Sequence, residues 1–147
     1  MEIDVSDRQL DTQRVLPWPP ETVFAALTNP ETLARWWGPA GFSNTFEVCD
    51  LRPGGLWRFV MHGPDGHDYP NEARFAELTA PSRFVVEHVS GPHFVLTLTL
   101  TAADGGKRLH WRQEFDSPEV CAQVAKFAVE ANEQNLDRLA AVVGGAA

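Results

Sequence analysis

Five turn signals break up residues 53–106 at short intervals: Pro53-Gly54-Gly55, Gly63-Pro64-Asp65-Gly66, Ala80-Pro81-Ser82, Ser90-Gly91-Pro92 and Asp104-Gly105-Gly106. Proline fixes φ and glycine admits positive φ, so each signal favours a chain reversal. Connections this short join antiparallel strands. The runs between them read as six strands: "NTFEVCDL", "LWRFVMH", "YPNEARFAEL", "RFVVEHV", "HFVLTLTLT" and "KRLHWRQEF". A further strand, Arg8 to Leu16, joins this meander from before two short helices.

The strands alternate. Trp57, Phe59 and Met61 share one face, with Arg58, Val60 and His62 on the other. Phe94, Leu96, Leu98 and Leu100 do the same, as do Leu109, Trp111, Gln113 and Phe115. Period two with one apolar side is a sheet with one buried face, which something must cover. The cover is Pro118 to about Val143. At about 100° per residue, Cys121, Val124, Ala128, Ala131, Leu139 and Val142 form one stripe, opposite Gln123, Lys126, Glu130, Glu133 and Asp137. Ser117 suits its N-cap and Pro118 its first turn. Asn135 interrupts the stripe, and Arg138 sits at its edge, where a long stem can snorkel. The small alanines can interlock with the sheet aromatics or leave space.

Between the first strand and the meander, "PWPPETVFAALTNPETLARWW" reads as two short helices. Pro20 and Pro30 fit first turns, Asn29 fits an N-cap, and Gly38-Pro39 stops the second helix near Trp37. The expected architecture is α+β, in the order β-α-α-β6-α: a curved antiparallel sheet of six to seven strands wrapped around a long C-terminal helix. At 147 residues it is expected to be one domain, 1–147.

Charge narrows the function. With 20 Asp and Glu against 12 Lys and Arg, the net charge of −8 opposes nucleic acid and anionic membranes. The start, "MEIDVSDRQLDT", lacks the basic and apolar regions of a signal peptide, and no apolar run approaches a membrane span. Two cysteines, Cys49 and Cys121, are too few for a disulfide framework and read as reduced, mostly buried thiols. A cytoplasmic protein is expected.

"NPETLARWWGPAGF", "DLRPGGLWRFVMHGPDGHDYPNE" and "KFAVEANEQNLDRL" resemble the activator-of-heat-shock-protein-90-ATPase-homologue family. That family lies within the START-like, birch-pollen-allergen-like (SRPBCC) superfamily. The resemblance runs from about Arg14 to Leu139 and implies a helix-grip fold with a hydrophobic cavity between sheet and helix. The co-chaperones for which the family is named carry a separate N-terminal domain that makes much of the chaperone contact, and at 147 residues this chain is expected to be without one.

For the walls or mouth of such a cavity the candidates are Trp37, Phe42, Phe46, Trp57, Phe59, Met61, Tyr69, Phe94, Trp111 and Phe127. The competing reading of each is ordinary core packing. Adjacent helical residues diverge, so Trp36 and Trp37 cannot face one place; Trp36 is the one assigned to packing or to the surface. Gln113 and Asn135 are buried-polar candidates. They orient a ligand's polar end, or they bond to backbone or to each other. Glu72 and Arg74 share a strand face and are candidates for an ion pair.

No histidine spacing suggests a metal, and His62 and His110 read as outward-facing. No catalytic motif is present: Val89-Ser90-Gly91 lacks the first glycine of a nucleophile elbow, and Gly54-Gly55 lacks a phosphate-loop pattern. Tyr69 with His62 or Glu72 could serve acid–base chemistry, but nothing in the sequence requires it. The expectation is a non-enzymatic binder of a small hydrophobic molecule, without cofactor or metal. The alternatives are a protein-interaction module (a co-chaperone or homodimer built on an exposed tryptophan of Trp-Trp-Gly-Pro) and an enzyme acting on a hydrophobic substrate.

Overall fold

The proline and glycine punctuation resolves into hairpins. The computed structural model describes residues 8–91, 93–103 and 106–144. The chain runs β1 (Gln9–Leu16), α1 (Pro20–Leu27), α2 (Pro30–Trp36), β2 (Ser43–Cys49), β3 (Gly55–His62), β4 (Asp68–Thr79), β5 (Arg83–His88), β6 (Phe94–Ala103), β7 (Gly106–Phe115) and α3 (Pro118–Val143). The seven strands form one antiparallel sheet in the order β1-β7-β6-β5-β4-β3-β2. The six later strands are the meander. β1 closes on β7 with Gln9 opposite Glu114 and Leu16 opposite Lys107. Pro92 and Asp104-Gly105, parts of two expected turns, lie outside the described residues, as do residues 1–7 and 145–147.

Local chemistry explains the boundaries. In the Arg52–Gly55 turn, Gly55 N donates to Arg52 O at 2.8 Å, and Gly54 holds φ +81. A Cβ on Gly55 would lie 1.9 Å from Asp50 O, so no other residue fits there. Asn29 caps α2 by accepting from Glu31 N at 2.9 Å, and Ser117 caps α3 by accepting from Val120 N at 3.2 Å. Register shifts at Phe46/Val48 and Phe75/Glu77 are bulges, which bend a sheet.

The buried face carries Trp57, Phe59, Phe75, Phe84, Leu96, Leu98 and Leu109, packed against Leu27, Leu33 and Trp36 of α1 and α2 and Leu136 and Leu139 of α3. Trp57 stacks on Phe59 at 4.3 Å and on Phe75 at 5.2 Å. Trp36 is fully buried, and its Nε1 donates to Ala26 O at 3.0 Å, tying α2 to α1.

The outer face is polar. His62 pairs with Asp68, His110 with Asp11, and His93 lies between Glu87 and Asp116. Glu72 and Arg74 do not pair with each other: Glu72 takes Arg58 from the facing strand at 3.4 Å, and Arg74 donates to Gly54 O. The cross-strand neighbour stands directly opposite Glu72, whereas Arg74 is two residues along the same strand. Cys121 is buried and Cys49 half-buried, its thiol pushed up to about 11 by burial and by Asp50. Neither forms a disulfide within the described residues. No described helix is long and apolar enough to cross a membrane.

Candidate functional site

Helix α3 is not uniformly bulky on its inner face. Toward its C-terminus Leu136 and Leu139 fill the space beneath α1 and α2, while toward its N-terminus the inner positions are Val124, Ala128 and Ala131. Alanine cannot reach the sheet at these positions, and a cavity of about 530 Å³ remains. The loop after α2 supplies Trp37, Gly38, Pro39 and Phe42 to its wall, and the β3–β4 hairpin supplies Met61, Asp68, Tyr69, Pro70 and Asn71. His88, Phe94, Leu96, Trp111, Gln113 and Phe115 come from β5–β7, and Phe127, Asn132 and Asn135 from α3. Most of this wall is carbon. No Lys or Arg side chain is among its described residues, and Asp68 at the rim is paired with His62 at 2.7 Å.

The loop is held from beneath by α3. Asn135 Nδ2 donates to Trp36 O at 2.6 Å, and its Oδ1 accepts from Gly38 N at 3.1 Å. Gln134 Oε1 accepts from Ala40 N at 3.1 Å. Arg138 Nη1 donates toward the carbonyls of Trp37, Gly38 and Pro39 at 2.9–3.1 Å, and Nη2 donates to Arg35 O at 2.6 Å. Arg138 therefore does not snorkel to water. The last carbonyls of α2 have no N–H partners of their own, and a cation at a helix C-terminus satisfies them. Burial lowers the Arg138 pKa from its ordinary value.

Two other polar contacts line the wall. His88 Nε2 lies 2.7 Å from Asn71 Oδ1, with the ring stacked on Phe94 at 4.6 Å. Gln113 Oε1 accepts from Asn132 Nδ2 at 3.1 Å.

Of the residues expected around a cavity, the fold gathers Trp37, Phe42, Met61, Tyr69, Phe94, Trp111, Gln113, Phe127 and Asn135 at one space. Phe127 and Tyr69 are exposed at its rim. Phe46, Trp57 and Phe59 are elsewhere. Trp37 packs against Trp57 at 4.8 Å and Phe59 at 6.2 Å, and Phe46 meets both rings edge-on at 5.4 and 5.9 Å. Trp57 and Phe59 are thus buried core, and the partly buried Phe46 packs against it. Both members of the tryptophan pair are buried, so the exposed tryptophan on which an interaction surface was expected is absent.

The sequence reading passed over Asn132, His88 and Asn71. Asn132 lies four residues from Ala128 and three from Asn135, which places it on the same helix face. His88 is in phase with Phe84 and Val86, so alternation had already turned it inward.

The chain matches the profile of the family described as Activator of Hsp90 ATPase homolog 1-like protein over residues 17–144. Among solved structures it is similar to a protein from Nitrosomonas europaea, with 24% identity, 100% of each chain covered and a TM-score of 0.86. A protein from Chromobacterium violaceum has 27% identity over 91% of this chain and 96% of its own, with a TM-score of 0.79. An AHSA1-like protein from Aeromonas hydrophila has 20% identity over 94% of this chain and 93% of its own, with a TM-score of 0.74. No curated protein matches the chain.

Proposed function

The chain belongs to the Activator of Hsp90 ATPase homolog 1-like family, and from that premise we propose that it binds a small hydrophobic molecule between the sheet and α3. The observation that carries this reading is the pairing of small residues on the helix, Ala128 and Ala131, with large aromatics on the sheet and loop around a cavity of about 530 Å³. That volume falls within the range of about 300–1,000 Å³ that accommodates compact ligands. Binding would be driven by removing apolar ligand surface from water against Trp37, Phe94 and Trp111. A chaperone contact, the other role the family suggests, would have to use a surface other than the buried Trp36–Trp37 pair.

Two experiments test the proposal. Native mass spectrometry of the purified protein, followed by organic extraction, should release a small apolar molecule, or the bare protein should take one up from a panel of lipids and aromatic compounds. A protein that stays bare against the panel refutes it. Separately, Ala131→Leu should abolish uptake at no cost in stability, because filling a cavity adds contacts, whereas overpacking a full core costs about 1–3 kcal/mol.

A further inference from the structure

The cavity wall holds four amide side chains, and two of them are used up by the protein. Asn135 is bonded through both ends to the backbone of the loop. Asn71 Oδ1 accepts from His88 Nε2 at 2.7 Å, and its Nδ2 donates to Tyr69 O at 2.7 Å. Gln113 and Asn132 differ. Each is about nine-tenths buried, at 8% and 9% exposure, and their single mutual bond runs from Asn132 Nδ2 to Gln113 Oε1 at 3.1 Å. Gln113 Nε2 then has no acceptor, and Asn132 Oδ1 no donor, among the described residues. Reversing both amides changes nothing essential: one donor and one acceptor still remain, with the atoms exchanged. Buried amides are normally satisfied, and this pair sits in a wall made mostly of carbon.

We propose that Gln113 and Asn132 form the polar subsite of the cavity, and that its ligand is an uncharged apolar molecule bearing a hydroxyl. This rests on the cavity reading above. A hydroxyl both accepts and donates through one oxygen, so it can take the Gln113 Nε2 hydrogen and give its own to Asn132 Oδ1. A carboxylate would be stripped of water with no cation on the wall to replace it. An alkyl or plain aromatic ligand would leave both amide groups unmatched, which is costly in a buried site.

The test is equilibrium dialysis of the wild-type protein at neutral pH against three matched probes: naphthalene, 2-naphthol and 2-naphthoate. Expected is 2-naphthol binding about tenfold more tightly than naphthalene, the return of one net hydrogen bond, with 2-naphthoate weakest. The double variant Gln113→Leu/Asn132→Leu should bind naphthalene at least as well and lose the preference for 2-naphthol. Equal binding of 2-naphthol and naphthalene by the wild type, as when the amides hold only a water, overturns the subsite and leaves the cavity reading standing. So does a preference that survives the double variant, or 2-naphthoate binding tightest. Binding of none of the three overturns the cavity reading and the subsite with it. Should the double variant fail to fold, Gln113→Met, which keeps the side chain's length and removes its donor, must reduce the same preference.

Discussion

Arg138→Met removes the guanidinium that holds the cavity loop while keeping most of the apolar stem. In the folded protein that group reaches the carbonyls of Arg35, Trp37, Gly38 and Pro39. A net hydrogen bond to a charged group contributes about 1.5–3 kcal/mol. The four do not add, because they share one guanidinium, and Arg35 O is exposed and hydrates freely once released. The other three carbonyls are partly buried and can recover only part of their solvation. The expected loss is therefore about 2–3 kcal/mol, near the upper end for one charged bond. For a chain of this size that lowers Tm by roughly 6–12 °C. Urea denaturation followed by tryptophan fluorescence, with Tm by circular dichroism, measures it directly. Arg138→Lys should recover only part of the loss, since an ammonium is a point donor and cannot span four carbonyls. A Met variant within about 0.5 kcal/mol of wild type, the range of an ordinary surface change, would refute the view that α3 clamps the loop.

Phe59→Ala should lose about 3–5 kcal/mol of stability, because Phe59 is 1% exposed and stacked on Trp57, while naphthalene affinity of the folded protein stays unchanged; a loss of affinity without a loss of stability would place Phe59 in the wall after all. Gly38→Ala should destabilise by about 1–2 kcal/mol, since Gly38 holds φ +98 and a Cβ there would meet Met61 Cε at 2.8 Å; thermal melts decide it. Hydrogen bonds to Glu87 and Asp116 raise the pKa of His93 above the ordinary histidine value. A raised folded-state pKa stabilises fully below the unfolded value, about 6.5, and that contribution disappears as pH rises through the folded value. The stability difference between wild type and His93→Gln should thus be largest below the unfolded value of about 6.5 and shrink as pH rises above it, and a difference that grows with pH contradicts the assignment.

Strand and helix order were legible because their signals are local. Pro53-Gly54-Gly55 dictates its own turn, Asn29 and Ser117 cap the next residues along, and alternation in β6 and β7 needs no knowledge of the partner strand. The cavity wall was legible only where period and chemistry coincided, as at Met61, Phe94 and Trp111. It misled at Phe46, Trp57 and Phe59. These are aromatic residues like those of the wall, but Trp57 and Phe59 pack on the Trp37 ring and Phe46 packs on those two, which the sequence pattern cannot show. Arg138 was misplaced for a related reason. A helical wheel shows it at the edge of a stripe but cannot show that the open carbonyl end of α2 is docked against that edge.

The polar residues on the inner side of α3 explain how one helix can cover a cavity without collapsing into it. Asn132, Asn135 and Arg138 follow one another at three-residue steps, about 4.5 Å apart along the axis. Arg138 and Asn135 fasten the C-terminal part of the helix to α2 and its loop, where Leu136 and Leu139 also pack solidly. With that end fixed by specific bonds, the N-terminal part need not be held by dense packing, and its alanines can face empty volume. Asn132 donates across to Gln113 of the sheet and links helix and sheet beside the cavity. The alanines leave room beside the sheet, and Asn135 with Arg138 fixes the helix end next to it. The pattern that reads in the sequence as an amphipathic helix with polar intruders is, in three dimensions, a fixed end and an open end.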